Sequence, residues 1–154
     1  MDLGDGTVLM FLNPPAQPML GTSDDTDNNG LVVRVSYGDV SFLLSADVRV
    51  EAERQLSHEN VCIDSTVLKV AHHGSDTSSG PQFLTAVSPE VAVISVGADN
   101  PYGHPNASVV RRFQALPAEL YTTAEFGTIE FVTDGDSLWV KTEEKSTSTP
   151  EGAG

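Results

Sequence analysis

Apolar residues fall along the chain in short runs closed by turn formers, and their spacing shifts from every second residue near the ends to about 3.6 in the middle. Residues 7–12 (Thr-Val-Leu-Met-Phe-Leu) are continuously apolar between Gly6 and Pro14, and read as a buried strand. Residues 31–37 and 40–45 flank Gly38-Asp39 and predict a hairpin. Residues 48–56 place Val48, Ala52 and Leu56 on one helical face, with Asp47 at the helix start. A strand at 67–71, a short helix after Ser78-Ser79 that ends before Pro89, and a strand at 91–96 follow. Asn106 opens a helix whose stripe is Val109, Val110, Phe113 and Leu116. Strands at 120–123, 128–132 and 138–141 close the pattern, the last two joined by Asp134-Gly135.

Strands and helices alternate in the middle and hairpins stand at both ends, which predicts an α/β fold with a mixed β-sheet and helices on one face. The chain makes one domain over residues 1–142. Within it, residues 16–30 are rich in Pro, Asp, Asn and Gly and read as an acidic loop, exposed at 24–29. Residues 143–154 have the composition of a disordered tail.

Charge narrows the function. The 154 residues carry 22 acidic side chains against 8 basic ones, a net charge of −14. Affinity for nucleic acid rests largely on cationic side chains, so the charge argues against a non-catalytic DNA-binding module; a metalloenzyme is less constrained, because a divalent ion brings its own positive charge. No window approaches the ~18 apolar residues of a membrane span, so this chain does not insert directly into a membrane. Met1-Asp2-Leu3-Gly4 lacks the basic start and apolar run of a signal peptide. The single cysteine, Cys62, precedes a strand and is expected to be a buried, inert thiol.

Three of the four histidines lie where apolar strands run into polar residues. Leu-Lys-Val-Ala-His-His-Gly-Ser occupies 68–75, Ser-Ala-Asp occupies 45–47, and Tyr-Gly-His-Pro occupies 102–105. Adjacent side chains alternate faces if the strand continues, so either His72 or His73 can ligate a metal while the other supports it or meets substrate. Asp47 is suited to be a helix cap or a hard oxygen ligand. His104 is either a turn residue bonded to backbone or a functional imidazole, and His58 sits among Ser57, Glu59 and Asn60 as a solvated residue.

In this order the three motifs resemble the C-terminal half of the metallo-β-lactamase-type domain of ComEC-family DNA-uptake proteins and related soluble metallohydrolases. The resemblance runs over about residues 6–141. It implies half of a four-layer αββα sandwich, with a zinc or manganese site where the halves meet and metal-dependent hydrolysis of phosphodiesters. Carried over residue by residue, Asp47 corresponds to the bridging aspartate and His73 to the late histidine ligand. His72 and His104 take catalytic places on the substrate side, and Ser75 and Tyr102 become substrate-binding. The family's His-x-His-x-Asp-His motif is absent, and Ala46 stands where relatives carry glycine. One carboxylate and one imidazole are fewer than the about four ligands that close a tetrahedral zinc site, so no tight metal binding is expected of this chain.

The resemblance further implies that the chain is inactive alone and partners a missing N-terminal half or a homodimer mate across an uncovered apolar face. DNA would be the substrate of the parent, on the extracytoplasmic face of a membrane or in a secreted form. The alternatives are a metal-free, non-catalytic binding or scaffold domain with a protein or polysaccharide partner, and a small enzyme using His104 as general base.

Overall fold

The computed structural model describes residues 1–58 and 61–143. Six strands form one mixed sheet in sequence order: β1 (Thr7–Asn13), β2 (Val32–Tyr37), β3 (Val40–Leu44), β4 (Val67–Lys69), β5 (Val91–Ile94) and β6 (Glu119–Thr122). The first three pair antiparallel and the last four parallel. The helices are α1 (Asp25–Asn28), α2 (Val50–His58), α3 (Pro81–Val87), α4 (Ala107–Gln114) and α5 (Thr123–Phe126). A second sheet is the hairpin of β7 (Ile129–Thr133) and β8 (Leu138–Thr142).

Strand alternation divides the large sheet into two faces. Leu43, Leu68 and Ala92 stand in register on one face, where they join Ala52 and Leu56 of α2, Phe83, Leu84 and Val87 of α3, and Val109 and Phe113 of α4 in one core. Phe42 points the other way and meets Phe131 of β7 edge to face, ring centroids 5.8 Å apart. The hairpin therefore covers part of the second face. Its tip docks on the β2–β3 turn: Asp39 N–H donates to the Gly135 carbonyl at 2.7 Å. A Cβ at Gly38 would lie 2.4 Å from that carbonyl oxygen, and both tip residues have positive φ, so glycine is required there. Phe11 and Leu44 remain exposed at 60% and 41%.

Both hairpins and the helix opened by Asn106 form as the sequence pattern predicts; Val48, Ala52 and Leu56 are all buried, but α2 begins at Val50 and Val48 precedes it. Four expectations are corrected. Residues 7–12 are not a buried strand: β1 is an outer strand of the sheet, with Met10 and Phe11 exposed, because its apolar run continues through residues on both sides of the pleat. Cys62 is exposed, since the extended segment before β4 turns Ile63 and Ser65 inward and Cys62 out. The strand at 67–71 ends at Lys69, and Ala71–Gly74 is a tight 3-10 turn in which His72 and His73 are left-handed.

The fourth correction concerns the acidic loop. Residues 25–28 form α1, capped by the Asp24 carboxylate, and Asn28 is fully buried. Asn28 Oδ1 accepts from the N–H groups of Arg49 and Ala52 at 3.1 and 3.2 Å, satisfying the start of α2 in the manner of a cap supplied from outside the helix. Asp47 makes no such bond. Of the residues assigned to the tail, Glu143 is tied to the Thr128 N–H by its carboxylate, and residues 144–154 lie outside the described ones.

Glu53 is buried on α2, where its carboxylate accepts from Ser79 N–H at 2.6 Å and Gly80 N–H at 2.8 Å. Arg112 of α4 donates to the Ser78 and Ser79 carbonyls, so the loop before α3 is gripped from two helices.

Two outcomes are expected. Asn28→Ala leaves two N–H groups of α2 unpaired in the interior and should cost about 1–3 kcal/mol in urea unfolding. Burial pushes the Glu53 carboxyl up to about 7, against the two N–H donors and the nearby Arg112. The folded chain then holds a proton that an unfolded glutamate loses near pH ~4.3, so this group's stabilisation is full below that pH and is lost as pH rises through about 7. Stability should fall over that window by up to roughly 3 kcal/mol more in the native chain than in Glu53→Gln. Equal pH slopes for the two would show that the carboxyl stays ionised.

Candidate functional site

The parallel strands β3, β4 and β5 all end at the same edge of the sheet, the position at which open α/β sheets bind ligands. Ala46, His72 and His73 leave the strand ends with φ of 45°, 49° and 54°. His72 N–H donates to the Ala46 carbonyl at 3.1 Å, which joins the turn after β3 to the turn after β4. Gly74 completes the second turn with φ of 80°, and a Cβ there would lie 2.8 Å from Pro105 Cβ. Its carbonyl accepts from Asn106 N–H, which docks the 102–105 loop on the histidine turn.

The two imidazoles diverge. His73 Nδ1 lies 2.6 Å from the Ser95 carbonyl, which can only accept, so Nδ1 carries a proton, and in the neutral ring Nε2 keeps its lone pair. That Nε2 stands 3.8 Å from Asp47 Oδ1, with both side chains about half exposed. His72 turns the other way, with Nδ1 3.8 Å from Asp27 Oδ2 and 3.5 Å from Thr77 Oγ1. The His104 ring meets His72 edge to face at 6.0 Å and stacks on Tyr102 at 6.1 Å.

A cleft of about 330 Å³ is lined by Asp47, His72, His73, Tyr102 and His104. Five of the six residues selected from the sequence thus share one surface. Ser75 does not: it is buried, and its hydroxyl pairs with Thr77 Oγ1 at 2.9 Å, supporting the turn from behind. His58 lies on the surface beside Gln82 and does not line this cleft. A larger hollow of about 570 Å³ lies elsewhere, around Arg34, Thr66 and Glu90, and has no histidine in its wall.

Several contributors escaped the sequence reading. Asn100 fixes the His104 backbone on both sides, donating to its carbonyl at 2.6 Å and accepting from its N–H at 3.0 Å. An Asn two residues before Tyr-Gly-His was a signal for such a loop staple. Lys69 is partly buried next to Asp47. Burial holds its ammonium below the ordinary lysine range while the Asp47 charge pulls it back up. Asp27 was hidden in the acidic loop.

For a metal, Asp47 Oδ1 and His73 Nε2 are a matched pair of donors on one side of a cleft. Among the described residues, Nδ1 of His104 is buried in the same grouping without a hydrogen-bond partner. Among the described residues, however, no three His, Cys, Asp or Glu side chains are grouped to hold an ion. Two donors do not complete a zinc or manganese site.

No protein-family model matches the chain. Over 105 residues, 68% of its length, it is 34% identical to ComE operon protein 3 of Bacillus subtilis. Over 128 residues, 82% of its length, it is 36% identical to Competence protein ComA of Neisseria gonorrhoeae. The chain is related to the ComEC-type competence proteins. A third such relative, Recombination protein 2 of Haemophilus influenzae, is 35% identical over 103 residues, 67% of the chain. This competence-protein relative spans only 14%, 18% and 13% of the lengths of those three proteins. Among the described residues no helix is long and apolar enough to cross a membrane.

His73 is half exposed and holds one hydrogen bond, so His73→Ala should change the unfolding free energy by less than about 1 kcal/mol. A loss of several kcal/mol in urea titration would assign it to the core instead.

Proposed function

We propose that the chain is the C-terminal part of a metallo-β-lactamase-type hydrolase domain that cleaves nucleic-acid phosphodiesters during DNA uptake, and that it is inactive by itself. The observation that carries this reading is the convergence of Asp47, His72, His73 and His104 on one cleft at the ends of the parallel strands. The names of the relatives, ComA of N. gonorrhoeae above all, support the competence role.

In this reading the six-stranded sheet with its helices is one half of a four-layer αββα sandwich. The partly bare second face, with Phe11 and Leu44, receives either the N-terminal half of the domain or a second copy of the chain. The remaining metal ligands come from that partner. Zinc or manganese, when bound, supplies a Lewis acid and a water of lowered pKa. The chain's own residues do the rest. Asp47 and His73 would hold the ion through one carboxylate oxygen and one imidazole nitrogen, and the Ser95 carbonyl orients the His73 ring. His72 and His104 stand on the substrate side to move protons, Tyr102 offers a ring face to a base, and Ser75 shapes the turn beneath the phosphate. The ammonium of Lys69 adds a cation beside the cleft in an otherwise acidic protein. The site works at the extracytoplasmic face of the membrane.

A metal-free binding domain of the same fold is the second reading, favoured by the donor set of two. Calorimetry with manganese and zinc, run with hydrolysis of a chromogenic phosphodiester and of single-stranded DNA, separates them. The chain alone should bind weakly and show no turnover. A chain lengthened upstream to include a His-x-His-x-Asp-His segment should bind metal stoichiometrically and turn over. In that lengthened chain Asp47→Ala should abolish binding, and His104→Ala should lower kcat by about 10²–10⁴-fold. A lengthened chain that neither binds metal nor hydrolyses either substrate would establish the scaffold reading.

A further inference from the structure

Ser78 and Ser79 follow the histidine turn closely and are buried, although serine is mostly an exposed residue. Ser79 is also left-handed, with φ of 58°. Two helices account for this. Arg112 of α4 donates through Nη1 to the Ser78 and Ser79 carbonyls at 2.9 and 3.0 Å. The Glu53 carboxylate of α2 accepts from the N–H groups of Ser79 and Gly80. Val50 N–H, at the start of α2, donates to the Thr77 carbonyl at 3.0 Å, and Ser78 N–H returns to the Ser75 carbonyl at 3.3 Å. From the Thr77 carbonyl to the Gly80 N–H every main-chain polar group is paired, which fixes the segment.

What this clamp holds in place is the Ser78 hydroxyl. It donates toward two carbonyls, Ala71 at 3.2 Å and Ser75 at 3.1 Å. Those residues bracket the histidine turn, Ala71 opening it and Ser75 capping it. Between them stand the left-handed His72 and His73, and Gly74, whose carbonyl accepts from Asn106 N–H at 2.8 Å. Asn106 caps α4, and α4 carries Arg112, which returns to Ser78. The hydrogen bonds therefore close a circuit, from Ser78 through the histidine turn to the start of α4 and back along that helix. A strained turn keeps its shape only while its ends are held, and Ser78 reaches both ends.

We propose that Ser78 is a positioning residue of the cleft: its hydroxyl fixes both ends of the turn that aims His72 and His73, and Glu53 and Arg112 hold it there. The role rests on the proposed function, in which those imidazoles and Asp47 do the chemistry, but the first part of its test needs no activity.

The first part is residue-resolved amide exchange in the metal-free chain, for the native sequence, Ser78→Ala, Arg112→Met and Ser65→Ala. The N–H groups of His72, Ser75 and Asn106 all bond to or within the turn region, whereas Val70 N–H donates to the Val93 carbonyl beside the sheet. Ser78→Ala should speed exchange at the first three by about tenfold more than at Val70. Arg112→Met frees the two carbonyls that hold Ser78 and should show the same selectivity, which preserves the test if Ser78→Ala does not fold. Ser65 is the control: it is buried, and its hydroxyl donates to the carbonyls of Ile63 and Asp64 instead. Ser65→Ala should speed exchange without that selectivity. Uniform acceleration in Ser78→Ala, or equal selectivity in Ser65→Ala, would overturn the proposal.

The second part uses the chain lengthened upstream. There Ser78→Ala should lower kcat by about 10–10²-fold and leave KM within about twofold, the pattern of misplaced reacting groups. An active lengthened chain whose kcat is unmoved by Ser78→Ala would overturn the positioning role and leave the hydrolase reading intact. Selective exchange in Ser78→Ala, with a lengthened chain that hydrolyses neither substrate, would remove the hydrolase reading while Ser78 still positions the two imidazoles.

Discussion

The hydrogen bond from His72 N–H to the Ala46 carbonyl ties together two turns that would each be unfavourable alone. Ala46, His72 and His73 all occupy the left-handed region, which costs an L-residue with a side chain about 1–2 kcal/mol each. Strain of this size persists only where the surroundings over-determine the backbone. Here Ser75 N–H returns to the His72 carbonyl, Gly74 docks against Pro105, and Glu53 grips Ser79 and Gly80 a few residues on. The result is a reversal so tight that two neighbouring imidazoles leave the chain toward different carboxylates, His73 to Asp47 and His72 to Asp27. A continuing strand would also have separated them, but across the two faces of the sheet.

Local chemistry was legible wherever one residue type does one job. Gly38-Asp39 and Asp134-Gly135 turn because of their backbone preferences, and Asn106 caps α4 with its own side chain. The grouping of Asp47, His72, His73, Tyr102 and His104 followed from their place after apolar strands, since parallel strands deliver their ends to one edge. What stayed hidden were polar residues bonded to partners distant in sequence. Asn28 and Asp27 have the composition of a loop, and only the fold reveals that they complete the start of α2, more than twenty residues on. Ser75 misled for the opposite reason: its hydroxyl looks available in sequence but is engaged with Thr77. Cys62 and β1 show a related limit, because a short apolar run does not say which of its residues face outward.

Three of the five arginines are spent inside this acidic domain. Arg49 is engaged with Asp24 and Asp27, Arg112 with the carbonyls of Ser78 and Ser79, and Arg34 with the carbonyl of Asp64. These cations organise backbone and carboxylates inside the domain; they do not form a basic stripe. Lys69 stands apart from them, partly buried beside the Asp47 carboxylate.

The β7–β8 hairpin reaches the second face of the large sheet through a tip-to-tip meeting of main chains, Asp39 N–H on the Gly135 carbonyl with Gly38 pressed against it. A contact of that kind carries no information about side-chain identity. The residues flanking either tip can drift in sequence while the hairpin stays over the same patch of sheet, as long as the two glycines do not change. The tip is thus addressed by main-chain geometry, while the pairing of Phe131 with Phe42 sets the side chains beneath the cover.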